Sequence, residues 1–543
     1  MQRFIDSYNG KDFDIIIIGG GITGAAVAYD AASRGYTVAL LEKNDFGSAT
    51  SSATSKLIHG GLRYLNYLEF GLVRESLRER RILENIAPNL VNPLSFMLPN
   101  YNSLMTNKWL IKLGLTLYDV LSFDKTWTWD KTKKLPLHRT ISKKAVLELE
   151  PNVRREKLTG ASIYYDCQSI FPERLTLAFI KSAVSKGAAV ANYAYVNGFL
   201  YRNRKQIAGV KVLDRVKEKE IEIKGGIVVN CAGTWADLIL NIAEKGESTN
   251  HIKRSEGIHI ITEKIAYDHA VLLRTRKGRH FFILPWRNHS LIGTTDKEYN
   301  GDPDNYRVTK QSINEFLAEI NETYGDGKLK YDDIKYAYGG LRPIVDDQTE
   351  GTYESSRKYE IYDNAKEGYE GLVTVEGGKY TTSRNLASKV MKLIEKKTGR
   401  EQRHSVTDKT FLEGCEVPDL KAFLDNIKEN NKGFDIRTLD YLGRNYGTES
   451  AKVLAIAGSK KELGRPLNSD GEILAEVVYA VKEEMALKLT DILLRRTGFG
   501  TLGNPGKDLL KTIADTAAKE LGWSDLKKKE EIKDAEDKLN LPE

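Results

Sequence analysis

The chain has 543 residues, of which 41% are hydrophobic and 29% charged, and its formal net charge is +7. A chain this long outgrows one ordinary core and is expected to divide into roughly two to four domains, and its composition excludes the disordered and collagen-like classes. The modest positive balance suits an anionic small molecule or an anionic membrane surface and gives no reason to expect nucleic acid as a partner.

The opening MQRFIDSYNGKDFD lacks the basic start and apolar core of a secretory signal. Residues 12–43 then form the clearest unit. DFDIIIIGG predicts a short apolar strand ending in glycines, Ile22 to Arg34 an alanine-bearing helix, and Tyr36 to Leu41 a second apolar strand closed by Glu42. Strand, helix and strand in this order predict a parallel pair with a crossover helix. Residues 69–88 predict a helix, with Glu and Arg at helical spacing. Residues 104–123, LMTNKWLIKLGLTLYDVLSF, are the most apolar helical stretch. They read either as a buried or half-buried helix or as an interfacial membrane helix anchored by Trp109 and Lys112.

A further helix is predicted over 175–190, then short strands over 190–230 ending in GGIVVNCAG. Over 251–300 β-branched and aromatic residues alternate with polar ones, as in an antiparallel sheet. GLVTVE at 371–376 predicts one more buried strand, and GGKYTTSRNLASKVM a glycine turn entering a helix. Beyond residue 400 the pattern turns helical, and we place a separate helical domain at 402–543. Its last helix, in SDLKKKEEIKDAEDKLNLPE, is so charged that a solvated surface is expected. Cys167, Cys231 and Cys415 are far apart and show no CxxC spacing, so neither a disulfide framework nor a zinc site is expected and a reducing cytosol fits. No apolar run approaches a membrane span, so any membrane contact is expected to be peripheral.

Gly19, Gly21 and Gly24 fit GxGxxG directly after the first strand and before the helix. The first glycine permits the tight turn, the second lets the backbone approach a pyrophosphate, and the third lets helix and strand pack closely. The helix N-terminus offers free N–H groups and its positive dipole end to the phosphates. Glu42, closing the second strand, is placed to accept hydrogen bonds from the adenosine ribose, and an acid there disfavours a 2′-phosphate. The motif alone serves NAD and FAD equally. Here the chain leaves the pattern at Asn44, and the next apolar strand of this kind returns only at residues 225–236. FAD-dependent enzymes of the glutathione-reductase-like superfamily interleave their cofactor and substrate domains in this way.

In that order, IIIIGGGITGAAVAYDAASRG, ATSSATSKLIHGGLRYL, LPW with IGTTD, GLRP and GGKYTTSR resemble the FAD-dependent glycerol-3-phosphate dehydrogenase family, aerobic bacterial type. The similarity runs over nearly the whole chain, and LLRRTGFGTL and AAKELGW resemble the family's C-terminal region. The resemblance implies an α/β fold. An FAD-binding Rossmann-like (glutathione-reductase-like) domain is interleaved with an antiparallel-sheet substrate domain, and a C-terminal helical domain follows. The implied FAD-dependent region is 12–401, with FAD-binding segments at about 12–90, 160–235 and 335–401 and substrate segments at about 91–159 and 236–334. The implied reaction oxidises sn-glycerol 3-phosphate to dihydroxyacetone phosphate. A hydride passes from C2 to flavin N5, and electrons pass to a membrane quinone. The implied setting is cytoplasmic and peripheral on the inner face of the cell membrane, with room for a homodimer.

A phosphate dianion on a small polyol calls for two or more cations, with arginine favoured for bidentate contact. By motif match the substrate candidates are Arg63 and Tyr64 in HGGLRYL, His259 in EGIHIIT, Arg342 in GLRP, Lys379 in GGKYTT and Arg357 in YESSRKYEI. Removal of the hydroxyl proton needs a base, a role suited to histidine. His59 and His259 both lie in shared motifs and the choice between them is open; with Arg342 and Lys379 they form the catalytic set. Many bacterial relatives carry KGSH where this chain has Glu256, Gly257, Ile258 and His259, so no role is carried over to position 256.

Flavin contacts are implied at Thr50, Ser51 and Ser52, at Ala232 and Gly233, and at Gly378, Lys379, Thr381 and Thr382, where a helix N-terminus can stabilise negative charge on the reduced flavin. Cys231 reads as a packing residue, and no metal is expected. The polar run SSATSKLIHGGLRYL thus becomes the connector from the adenosine end of the cofactor to its reactive end. Alternatives stay open. One is an oxidase of the same family that uses oxygen, although the extra insertion such oxidases often carry is not evident. Others are a different FAD-dependent amine or hydroxy-acid oxidoreductase and a non-catalytic dinucleotide sensor.

Overall fold

The structure, a computed structural model, describes every residue except 103–106, 204, 245–251, 277, 326–327, 345–357 and 402. Arg357 therefore lies outside the described residues. In chain order, the elements that position the site begin with β1 (Phe13–Ile18), α1 (Ile22–Ser33), β2 (Val38–Leu41), α2 (Phe70–Ile86) and α3 (Lys108–Leu121). They continue with β3 (Leu158–Gln168), α4 (Pro172–Ser185), β4 (Lys219–Asn230), β5 (Lys253–Glu263), β6 (Ala270–Arg274) and β7 (His280–Trp286). The last are β8 (Ile334–Ile344), β9 (Leu372–Gly377) and α5 (Ser383–Thr398).

Ile15 to Ile18 are buried on both faces of β1, as a continuous β-branched run in a covered parallel sheet requires. β1 lies between β2 and β4, parallel to both, with Ile15 opposite Val38 on one side and Ile227 on the other. The sheet continues from β4 to β9 in parallel, and from β2 to the short strand Ala189–Ala191. α1 packs its alanines on this sheet, and α4 and α5 lie against α1. The β-α-β unit expected over 12–43 is thus present, and β9 follows as expected with the chain entering α5 through a single 3-10 turn at Tyr380–Thr382.

A second sheet carries the rest of the site. Its order is Lys297–Tyr299, β5, His289–Gly293, β7, β6, Asn92–Tyr101, β3 and Leu57–Ile58, with β8 on the free edge of β5. Most of its pairings are antiparallel, as expected for 251–300, but β6 meets Asn92–Tyr101 in parallel. The sequence boundaries near 160 and 335 place β3 and β8 in the flavin segments, whereas both strands belong to this second sheet. β8 pairs with β5 along nearly its whole length, and no local pattern reveals a partner so distant in sequence.

The region beyond residue 404 is helical, with helices at Leu420–Asn430, Ile436–Tyr446, Ser450–Ser459, Leu474–Glu483, Lys507–Leu521 and Asp525–Leu539. It is tied to the flavin-type sheet by buried charge. Asp45, just past β2, accepts from Arg496 at 2.9 and 2.7 Å and from Arg495 at 2.6 Å. Burial alone would raise the Asp45 carboxyl, yet Arg496 and Arg495 bring it down to about 2. Arg174 on α4 makes a two-pronged contact with Glu484 at 3.1 and 2.9 Å. The last helix is not solvated all round. Glu531, Ala535 and Leu539 are buried, and Glu531 accepts from the Leu489 N–H at 2.9 Å.

α3 is the half-buried helix expected, with an exposed apolar outer face. Only Leu115 and Tyr118 are buried, while Trp109 is 70% and Leu113 69% exposed. Tyr118 anchors it through a 2.6 Å hydrogen bond to Asp166 on β3. The opposite side, with Trp109 and Leu113, stays outward and is continued by exposed Val120, Phe123 and Trp127. Among the described residues no helix is long and apolar enough to cross a membrane.

Candidate functional site

One cavity of about 890 Å³ collects most of the residues singled out from the sequence. Its wall includes Gly19, Gly21, Glu42, Thr50, Ser51, Ala232 and Gly233, and also His59, Arg63, Tyr64, His259, Arg342, Gly378, Lys379 and Thr381. Gly24, Ser52 and Thr382 lie off the wall. Gly24 has a packing role instead: a Cβ there would sit 1.9 Å from the Gly19 carbonyl oxygen, so helix and turn can approach only with glycine. Ser52 turns back to donate to the Ala49 carbonyl at 2.9 Å, and Thr382 is buried beneath the turn.

The dinucleotide end is pre-ordered. Glu42 accepts from the Gly20 N–H at 2.7 Å and from the Asn44 N–H at 2.8 Å, and each carboxylate oxygen keeps a lone pair for a ribose hydroxyl. Burial raises its pKa from the ordinary carboxylate value. The first turn of α1 faces the cavity through Gly21, Ile22 and Thr23, where helix N–H groups and dipole favour phosphate. The hydroxyls expected to serve the flavin are partly committed to the protein. Thr50 donates to the Leu341 carbonyl at 2.6 Å, and Ser51 Oγ accepts from the Ile22 N–H at 2.9 Å. Together, a glycine cradle, an acid at the end of β2 and a long lined cavity fit FAD. Cys231 is buried and free, and burial pushes its thiol up to about 12, which leaves it inert.

The other end is cationic and holds two neutral imidazoles. Gly61, at φ +77, turns the chain so closely that a Cβ would meet the Tyr64 ring at 2.7 Å. Lys379 Nζ lies over that ring at 4.0 Å and donates to Ser76 Oγ at 3.1 Å, and Arg63 stacks on it at 4.8 Å. Arg342 is held by Thr294 Oγ1 at 2.6 Å, the Thr295 carbonyl at 3.0 Å and Asp296 at 3.3 Å. Burial, then Lys379 and Arg63, lower the pKa of His59 to about 3. Burial, with Arg342 and Lys56, holds His259 well below its usual value. His59 lines the cavity edge-on to Phe282, and among the described residues its ring makes no protein hydrogen bond. His259 is more tightly held: its Nε2 shares a 2.8 Å hydrogen bond with Ser55 Oγ, and its ring stacks on Tyr338 at 4.9 Å.

Arg274 and His280 are wall residues that the sequence reading did not single out. Arg274 ends β6 and His280 opens β7, directly opposite each other in the antiparallel register. The signal available was the basic hairpin RTRKGRH, but only the register shows which of its cations reach the cavity. Lys56, behind the wall, is buried in an ion pair with Glu173 at 2.5 Å and set 5.4 Å from the Tyr338 ring.

Comparison with known proteins identifies the family and the fold. Residues 14–384 match the family described as FAD dependent oxidoreductase, and residues 405–528 match the C-terminal domain of alpha-glycerophosphate oxidase. The chain is 34% identical over 537 residues to a glycerol-3-phosphate dehydrogenase of Synechocystis sp., covering 96% of this chain and 95% of that protein. It is 32% identical to an aerobic glycerol-3-phosphate dehydrogenase of Staphylococcus haemolyticus, over 90% of this chain and 87% of that one. Among solved structures, glycerol-3-phosphate dehydrogenase from Bacillus halodurans complexed with FAD superimposes with a TM-score of 0.79 at 28% identity, covering 98% and 96% of the two chains.

Proposed function

The chain belongs to the FAD-dependent glycerol-3-phosphate dehydrogenase family, and from that premise we propose that it oxidises sn-glycerol 3-phosphate to dihydroxyacetone phosphate and delivers the electrons to a membrane quinone. The observation that carries the reading is the joining, in one cavity, of the dinucleotide cradle to a cationic end with two neutral imidazoles. When bound, FAD supplies at N5 the acceptor for the hydride leaving C2.

Arg63 and Lys379 provide positive charge for the phosphate, both packed against the Tyr64 ring. Arg342 has part of its charge balanced by Asp296, and it lies close enough to His259 to depress its pKa. It therefore serves better to hold and polarise the hydroxyl-bearing carbons. His59, on the cavity wall with no protein hydrogen bond to its ring among the described residues, takes the proton of the C2 hydroxyl as the C2–H bond breaks. His259, fixed by Ser55 and Tyr338, orients the chain beside it. The acid end of β2 and the first turn of α1 hold the ribose and pyrophosphate.

The outward apolar face of α3 supports a quinone as acceptor. Leu110, Ile111 and Gly114 of that helix form part of the cavity wall, and the exposed Trp109 ring has Lys108 and Lys112 at 5.3 and 5.9 Å. Aromatic and lysine anchors around an apolar stripe suit a helix lying in an anionic membrane interface. On this reading a lipid-borne acceptor approaches the cavity from the α3 side. The test is to supply purified holoenzyme with glycerol 3-phosphate and measure both quinone-analogue reduction and peroxide. Quinone reduction with little peroxide is expected. Stoichiometric peroxide would instead make the protein an oxidase.

A further inference from the structure

The hairpin between β6 and β7 carries three arginines, Arg274, Arg276 and Arg279. Two are committed to helix Lys310–Thr323: Arg276 pairs with Glu322 at 3.0 Å and Arg279 with Glu319. Arg274 differs. It is exposed, faces the cavity, and has no carboxylate partner among the described residues. Its strand neighbour His280 lines the same wall. The positive charges of Arg274 and Arg63 both bear on His280, so the three groups share one electrostatic neighbourhood.

The acids of the cavity wall do not neutralise this corner. Glu42 is engaged by backbone N–H groups, Asp296 by Arg342 and Ser255, and Asp304 by Lys43 and Trp235. The result is a patch of excess positive charge with a planar guanidinium fork open to the cavity. Such a fork matches the oxygens of a phosphate monoester.

We propose that Arg274 is a specificity-determining residue that binds the substrate phosphate, sharing it with Arg63, while His280 donates an N–H to a third phosphate oxygen. This inference rests on the reading of the site as one for a small phosphorylated polyol. Arg63 is placed by the HGGLR turn, whereas Arg274 is placed by the second sheet, so the phosphate is gripped by two independently anchored elements. Substrates without the phosphate lose this contact with Arg274.

The test uses holoenzyme carrying Arg274→Ala or Arg274→Lys. Because Arg274 is exposed, the alanine variant is expected to fold and load flavin. A lost charge-assisted contact corresponds to an increase of about 10- to 100-fold in KM for glycerol 3-phosphate. The inhibition constant of inorganic phosphate should rise in the same proportion, with kcat at saturation changing much less. Arg274→Lys should recover part of the loss, since a point charge replaces only part of a fork. An unchanged KM and phosphate inhibition constant in Arg274→Ala would overturn the proposal. So would equal losses in kcat and flavin content.

A second arm measures binding to phosphatidylglycerol vesicles. Equal binding by the variant and the unaltered protein is expected. Loss of vesicle binding with intact KM would make Arg274 a lipid contact and refute the assignment. If the unaltered holoenzyme fails to react with glycerol 3-phosphate, the proposed function falls. Inorganic phosphate binding, followed by calorimetry, still tests Arg274 by itself.

Discussion

Arg496→Met probes the buried tie between the C-terminal helices and the cofactor loop. The guanidinium is 1% exposed and holds Asp45 at 2.9 and 2.7 Å, while also donating to the Glu484 carbonyl at 3.0 Å. Its removal leaves the fully buried Asp45 with Arg495 at 2.6 Å and Asn192 at 3.1 Å. Breaking a buried ion pair on one side costs about 3–5 kcal/mol, and the surviving Arg495 contact places this case near 3 kcal/mol. Asp45→Leu combined with Arg496→Met removes the stranded charge, so the double variant should lose less than the sum of the single losses. Denaturant unfolding of holoenzyme, followed by circular dichroism and by flavin fluorescence, gives the four stabilities. Asp45 lies three residues after Glu42, so flavin affinity should weaken in Arg496→Met as well. A loss below about 1 kcal/mol, or strict additivity of the two changes, would show that the network does not hold the loop.

Three further outcomes follow from the geometry. Gly24→Ala places a methyl 1.9 Å from the Gly19 carbonyl oxygen, and purified protein should then carry little flavin, read from its visible absorbance. Lys379→Ala should raise KM for glycerol 3-phosphate about 10- to 100-fold, since it removes a cation from the phosphate end. The pH dependence of stability has a definite sign. Folded His59 and His280 titrate at about 3 and about 4, and burial with Arg342 and Lys56 holds His259 well below its usual value, against about 6.5 in the unfolded chain. The unfolded chain therefore binds more protons below pH 6.5, and stability falls as acid is added, by about 2 kcal/mol at pH 5 for each of His59 and His280. Above pH 7 these groups add no slope, and His259→Gln should flatten the acid limb of the melting temperature.

What was legible in the sequence was local. The β1–α1–β2 unit is written in the isoleucine run, the glycine turn and the alanine-bearing helix, all within one short segment. The HGGLRYL and GGKYTT turns were likewise legible, because glycines at Gly61 and Gly378 fix where Arg63 and Lys379 can reach. Pairings between distant strands were not. β3 and β8 carry patterns that suit either sheet, and only the register His259 opposite Tyr338 decides the second. The Arg274–His280 pair is invisible for the same reason, since a basic hairpin reads as a solvated turn until its register is known.

Tertiary partners likewise separate α3 and the last helix from their sequence patterns. The apolar pattern of α3 left open which side is buried, and the structure buries the side around Leu115 and Tyr118 while Trp109 and Leu113 stay exposed. A charged helix is expected to be solvated, yet Glu531 caps the N–H of Leu489 and carries that face inward. The charge tie from Asp45 to Arg495 and Arg496 spans most of the chain, so neither end announces the other.

The most direct test of the account is anaerobic titration of the purified holoenzyme with glycerol 3-phosphate. Loss of the flavin band near roughly 450 nm, with dihydroxyacetone phosphate formed in equal amount, is the predicted result. A band that persists with glycerol 3-phosphate but bleaches with an amino acid or a hydroxy acid would contradict it.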